Sequence, residues 1–114
     1  MALTMTVQPV DLRHAVVQIE GVLDFETTEP LTRTCLDLVE QGRVGLVLDM
    51  SGVGFCDSSG LNAMIKIMNR AEQADGSLSL VGTSPALARI LELTGVDAVV
   101  RRYPTAAEAL REQP

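Results

Sequence analysis

The sequence predicts one α/β domain with a mixed sheet of about four or five strands and about four helices. Its 114 residues are the usual length of a single domain, and hydrophobic residues make up 46% of them. Segments with the two-residue period of a strand alternate with segments whose apolar residues have helical spacing. Because the chain has no Trp, one Tyr and two Phe, its core must be aliphatic. No repeat or linker interrupts the sequence, so we expect a single domain over residues 3–112.

The opening part of the chain predicts a hairpin followed by a helix. Apolar and polar residues alternate over residues 3–8, and residues 14–20 are rich in Val and Ile and end at Gly21. The short polar link between the two segments favours an antiparallel hairpin. Residues 27–30 (Thr-Thr-Glu-Pro) are typical of a helix start, and Gly42 marks the end of that helix.

The central part predicts a buried strand, a loop and a second helix. Residues 44–50 are almost continuously apolar, which is typical of a strand covered on both faces. Two glycines indicate a loop over residues 51–57, and a helix follows from Ser58 to about Ala74. The apolar side of this helix comprises Leu61, Met64, Ile65 and Met68.

The last part predicts two more strands and two more helices. Residues 78–81 have strand character, and Ser84 followed by Pro85 is typical of a helix start. That helix is expected to end near Gly95. Residues 98–100 are predicted to form a short last strand, and residues 105–112 a final helix.

The composition excludes several functional classes. The formal net charge of −6 argues against direct DNA binding, which needs cations to displace phosphate counterions. Two cysteines, Cys35 and Cys56, and one histidine, His14, cannot supply four conventional zinc ligands, so we expect no metal and no cofactor. Both cysteines are predicted to be buried apolar residues. With no signal-peptide pattern and no apolar run near 20 residues, we expect a cytoplasmic protein that does not enter a membrane.

The motifs of common enzymes are missing from the sequence. Neither a glycine-rich phosphate loop nor a G-x-S-x-G nucleophile motif is present, and a lone His14 does not make a catalytic triad. Asp49 ends a predicted buried strand, as in phosphorylated receiver domains. Those domains also need an acidic pair after the first strand and a lysine after a later one, whereas the single lysine, Lys66, lies in a predicted helix. We therefore predict a protein that is not an enzyme, with a phosphorelay or hydrolytic use of Asp49 as an alternative.

One segment is more specific than the rest of the sequence. Residues 49–61 read D-M-S-G-V-G-F-C-D-S-S-G-L, and Asp57 or Ser58 would cap the helix that follows. This run resembles the signature of bacterial anti-sigma factor antagonists, small proteins of the STAS fold. Residues 21–25 (G-V-L-D-F) and 86–96 (A-L-A-R-I-L-E-L-T-G-V) resemble two further segments of that family. The resemblance covers essentially residues 3–112, with the segments in the same order and spacing.

The resemblance implies a partner-switching regulator. The unphosphorylated protein would bind an anti-sigma factor and free its sigma factor; that anti-sigma factor, a serine kinase, would phosphorylate the antagonist, and a serine phosphatase would reset it. By its position in the motif, Ser58 corresponds to the serine that is phosphorylated in this family. The residues expected to bind the partner are Asp24, Asp57, Ser59, Gly60 and Asn62.

The sequence departs from the commoner family pattern at two positions. Asn62 stands where many relatives have Gly, and Phe25 stands where a small residue is usual. Asn62 lies in the first turn of the predicted helix, where it would alter how a partner docks; it leaves the phosphorylation expectation intact but leaves the identity of the partner open. The nearest alternative is a STAS subunit of a lipid-transport ATPase or of a signalling scaffold, although the serine motif is often degenerate in those proteins.

Overall fold

A five-stranded mixed sheet forms the centre of the computed structural model, which describes residues 3–113. Its strands lie side by side in chain order, and only the first neighbouring pair is antiparallel. The strands are β1 (Leu3–Pro9), β2 (His14–Leu23), β3 (Gly45–Cys56), β4 (Ser77–Val81) and β5 (Arg101–Tyr103). The predicted fold class and the opening hairpin are therefore confirmed.

Four α-helices cover the two faces of this sheet unequally. They are α1 (Thr28–Glu40), α2 (Ser58–Gln73), α3 (Pro85–Thr94) and α4 (Ala106–Glu112). The first three each connect neighbouring parallel strands in the same direction, so right-handed crossovers place all three on one face. The fourth follows the last strand and covers the other face, where Ala109 packs with Val16, Val47 and Val81.

The core is aliphatic, as the composition predicts. Strand β3 is central, and residues 44–48 are buried, which explains their almost continuous apolar sequence. On the apolar side of α2, Ile67 is fully buried, whereas Ile65 is only partly buried. Cys35 and Cys56 are both buried, as expected. Within residues 3–113, no helix is long and apolar enough to cross a lipid bilayer.

The loop predicted over residues 51–57 is wrong, because β3 continues to Cys56. The added length pairs with β2, which also runs past its predicted end at Gly21 as far as Leu23. Two register shifts in the β2–β3 pairing keep the glycine-rich end of β3 paired with β2. A Cβ at Gly52 would lie 2.6 Å from Cγ of Glu20, so glycine allows this close approach.

The strand predicted over residues 98–100 is also wrong. Gly95 ends α3 with a left-handed backbone (φ 82°), and Val96–Ala98 form a 3₁₀ turn. Val96 and Val100 fill the core from this turn. The last strand forms immediately afterwards, where Arg101–Tyr103 pair with Ser79–Val81 of β4.

Candidate functional site

The D-S-S-G-L segment begins where β2 and β3 end side by side. Leu23 and Cys56 are partners in the parallel register, and the Asp57 backbone N–H donates to the Leu23 carbonyl oxygen at 3.1 Å. The turn after β2 and the helix after β3 therefore start from adjacent points. Binding sites of α/β proteins gather at this carboxyl edge of the sheet.

Asp57 caps α2. Its Oδ1 accepts hydrogen bonds from the backbone N–H groups of Ser59 at 2.8 Å and Gly60 at 3.2 Å. The cap satisfies two of the donors that the first turn of a helix leaves free. Of the two residues that the sequence offered as the cap, the structure thus assigns the role to Asp57. Ser58 becomes the first helical residue, and its side chain is exposed.

The two serines face different surroundings. Ser59 is half-buried and lines a groove between α1 and α2, together with the exposed Asn62 one helical turn later. The groove has a volume of about 600 Å³, and its other side is formed by polar residues of α1 such as Thr28 and Arg33. Ser58 does not line this groove.

Gly60 lets α2 approach the sheet closely. The residue is buried, and a Cβ there would lie 2.6 Å from Sγ of Cys56 and 2.9 Å from Cγ of Leu23. Burial and, to a lesser extent, the neighbouring Asp57 carboxylate together raise the pKa of the Cys56 thiol to about 11. Cys56 is therefore a protonated packing residue at neutral pH, directly beneath the helix start.

The turn after β2 is held by its own polar side chains. The Asp24 Oδ1 accepts from the Glu26 backbone N–H at 2.9 Å, and the Asp24 backbone N–H donates to Oγ1 of Thr27 at 2.9 Å. The Thr27 hydroxyl in turn donates to the Val22 carbonyl oxygen at 2.9 Å. Thr27 is buried, whereas Asp24 is only half-buried.

Thr27 is the site residue that the sequence analysis missed. The sequence places it at the helix start, but it makes no side-chain capping bond to α1 and instead braces the Asp24 turn. An Asp followed three residues later by Thr, directly after a strand, is a pattern of local side-chain to backbone hydrogen bonds. That pattern could have predicted the brace.

Asp49 is engaged in a local contact. Its Oδ1 accepts from the backbone N–H of Ser51 at 3.0 Å and from the Ser51 hydroxyl. A Cβ at Gly82 would lie 3.0 Å from the same oxygen, so the backbone after β4 also packs against this carboxylate. These contacts give Asp49 a structural role in shaping the strand.

Gly60→Ala is expected to lower the free energy of unfolding by about 1–3 kcal/mol, because the added methyl overpacks the contact with Cys56 and Leu23. Urea denaturation measures this change. The matched test is a double-mutant cycle in which Cys56→Ala removes the nearer of the two clashes. The loss caused by Gly60→Ala should be smaller in the Cys56→Ala background; an equal loss in both backgrounds would contradict the packing role.

Comparison with known proteins gives consistent matches. An anti-sigma-B factor antagonist of Staphylococcus aureus (strain NCTC 8325) is 26% identical over 80 residues, which cover 70% of this chain and 74% of that protein. The crystal structure of an anti-sigma factor antagonist from Mycobacterium paratuberculosis has 29% identity and a TM-score of 0.84, covering 96% of this chain and 92% of its own.

The fold also matches a solved protein in two chemical states. Structures of SpoIIAA in the unphosphorylated form and, from Bacillus, in the phosphorylated form align with this chain at TM-scores of 0.75 and 0.74. Their identities are 18% and 21%; the alignments cover 96% of this chain and 96% of the first, and 95% of this chain and 97% of the second. The STAS domain family model matches residues 5–109. Since that match spans almost the whole sequence, this chain belongs to the STAS domain family.

Proposed function

We propose that this protein is an anti-sigma factor antagonist that is switched by phosphorylation of Ser58. In its unphosphorylated form it binds an anti-sigma factor and thereby releases the sigma factor. The observation that supports this most directly is an exposed Ser58 hydroxyl at the first position of α2, after a capping Asp57, in a STAS chain similar to named antagonists. The protein is the regulated substrate of this cycle and not an enzyme in it.

The exposed hydroxyl suits transfer from ATP. Oγ of Ser58 attacks the γ-phosphorus, the new O–P bond forms as the bond to the ADP oxygen breaks, and a base on the kinase takes the hydroxyl proton. We propose that the kinase is the anti-sigma factor itself and that a separate serine phosphatase removes the phosphate. Both steps belong to the cytoplasm and need no contact with DNA.

Phosphorylation changes the charge of the surface strongly. A phosphate adds about −1.5 to −2 charges. It would stand beside the Asp57 carboxylate and close to the turn that carries Asp24. In a complex with its kinase it would also face the ADP left by the transfer, so like charges would meet in a partly dehydrated interface. Such contacts cost several kcal/mol, which is enough to release the partner.

Phosphorylation of Ser58 is expected to leave the fold unchanged. The buried side of α2 comprises Leu61, Ala63, Met64, Ile67, Met68 and Ala71. Exposing a single large aliphatic side chain costs roughly 1.5–3 kcal/mol. A charge at a helix N-terminus contributes about 0.3–1 kcal/mol, which is too little to displace that face. The switch therefore acts by local charge and shape.

Ser58→Ala should abolish ATP-dependent labelling by the cognate kinase, whereas Ser59→Ala should retain most of it. The reason is that Ser58 is exposed while Ser59 lies half-buried in the α1–α2 groove. Mass spectrometry of the phosphorylated protein measures the modified position, and thermal unfolding of both variants checks that each is folded. Labelling that survives Ser58→Ala would place the acceptor elsewhere.

Asp24→Asn should raise the dissociation constant for the anti-sigma factor by about 5- to 100-fold, since one partly desolvated charge contact is typically worth about 1–3 kcal/mol. Asn keeps the oxygen that accepts from the Glu26 N–H, so the turn is preserved while the charge is lost. Isothermal titration calorimetry measures the constant.

The matched control for this change is Asp75→Asn. Asp75 is exposed in the link between α2 and β4, at the opposite edge of the parallel strands, and Asn tolerates its left-handed backbone (φ 64°). The control should bind normally. Unchanged binding by Asp24→Asn would remove Asp24 from the interface.

A further inference from the structure

The two phenylalanines of this chain lie on its surface near Ser58. Phe25 is 71% exposed and Phe55 is 56% exposed, while the core is built from aliphatic side chains. Burial of a phenylalanine is among the larger apolar contributions to stability, so this placement does not serve the fold. We infer that Phe25 and Phe55 are the apolar anchors by which the anti-sigma factor docks. The inference rests on the proposed function, and it requires a partner with apolar recesses surrounded by basic side chains.

The strand register places both rings near the phospho-acceptor. Phe55 is the register partner of Val22, and it lies three residues before Ser58. Phe25 lies two residues after Leu23, the partner of Cys56. Strand spacing and chain reach keep the Cα atoms of both phenylalanines within roughly 20 Å of that of Ser58. A standard interface covers about 800 Å² on each partner, a patch roughly 30 Å across, so one interface that lies over this edge of the sheet is wide enough to include Ser58 and both rings.

Each ring is carried by a hydrogen-bonded part of the backbone. Phe25 belongs to the turn that Asp24 and Thr27 hold with hydrogen bonds to its backbone neighbours. Phe55 lies on β3, in the segment paired with β2, and borders a small, mainly apolar groove of about 90 Å³ next to Leu87 and Ile90 of α3. Rigid aromatic side chains lose little conformational entropy on binding, which is why such residues dominate interface energetics.

The surrounding charges identify the kind of partner. Phe25 stands between Asp24 and Glu26, and Phe55 lies two residues before Asp57. A second copy of this chain would bring the same carboxylates face to face, and an anionic lipid surface would be repelled in the same way. A partner with basic groups around apolar recesses complements both the rings and the charges, as in interfaces with an apolar centre and a polar rim.

The test uses the purified serine-kinase anti-sigma factors encoded in the same genome, each with ADP for binding and with ATP for labelling. The one that phosphorylates Ser58 of the wild-type protein is the cognate partner. Phe25→Ala and Phe55→Ala should each raise its dissociation constant by about 10- to 100-fold. Phe25→Leu and Phe55→Leu should give smaller losses, because they keep apolar bulk. Thermal unfolding should show all four variants folded.

Leu12→Ala is the matched control. Leu12 is 86% exposed, but it lies in the β1–β2 turn, at the opposite edge of the parallel strands. Its substitution should change the dissociation constant by less than about threefold. The anchor role is overturned if the wild type is labelled and bound, but the alanine and leucine substitutions at Phe25 and Phe55 all bind as tightly as the wild type. The proposed function would then still stand.

Two other results would overturn the inference in different ways. If no kinase of this class labels or binds the wild type, the proposed function fails, and the inference fails with it. If the free protein forms a dimer in sedimentation velocity and Phe25→Ala or Phe55→Ala dissociates it, the occupant of this surface is a second copy of the chain.

Discussion

The hydrogen bond between the Asp57 backbone N–H and the Leu23 carbonyl oxygen fixes the geometry of the whole site. It brings the ends of β2 and β3 to the same level, so the Asp24 turn and α2 start side by side. The Asp57 side chain then caps the helix, and Gly60 lets the first turn rest on Cys56. Ser58 is left exposed on this frame, in which Cys56 lies beneath the start of α2 and the Asp24 turn lies beside it.

This frame limits how the proposed phosphorylation of Ser58 can act. The buried face of α2 ties its position to the aliphatic core, and one added phosphate supplies too little energy to move it. The surface, in contrast, already carries carboxylates beside exposed rings, so it can respond to a new charge without rearrangement.

Sequence patterns predicted the fold class, the hairpin and the start of α2, because alternation, helical spacing and capping are local signals. They failed where tertiary contacts decide. Glycines suggested a loop after Met50, but pairing with β2 keeps that stretch in β3. Val99 and Val100 favoured a strand, yet Gly95 and a 3₁₀ turn displace the strand to Arg101. The Thr27 brace follows from the local Asp-to-Thr spacing, whereas the exposure of both phenylalanines depends on neighbours that no local pattern shows.

The most direct test of a switch that acts by local charge is a comparison of backbone amide NMR shifts between the free protein and the form phosphorylated by its cognate kinase. A switch of this kind confines the changes to the first turn of α2, the Asp24 turn and the adjoining ends of β2 and β3. Large shifts that extend through β4, β5 and α4 would show that the modification reorganises the fold and that the switch does not act by local charge.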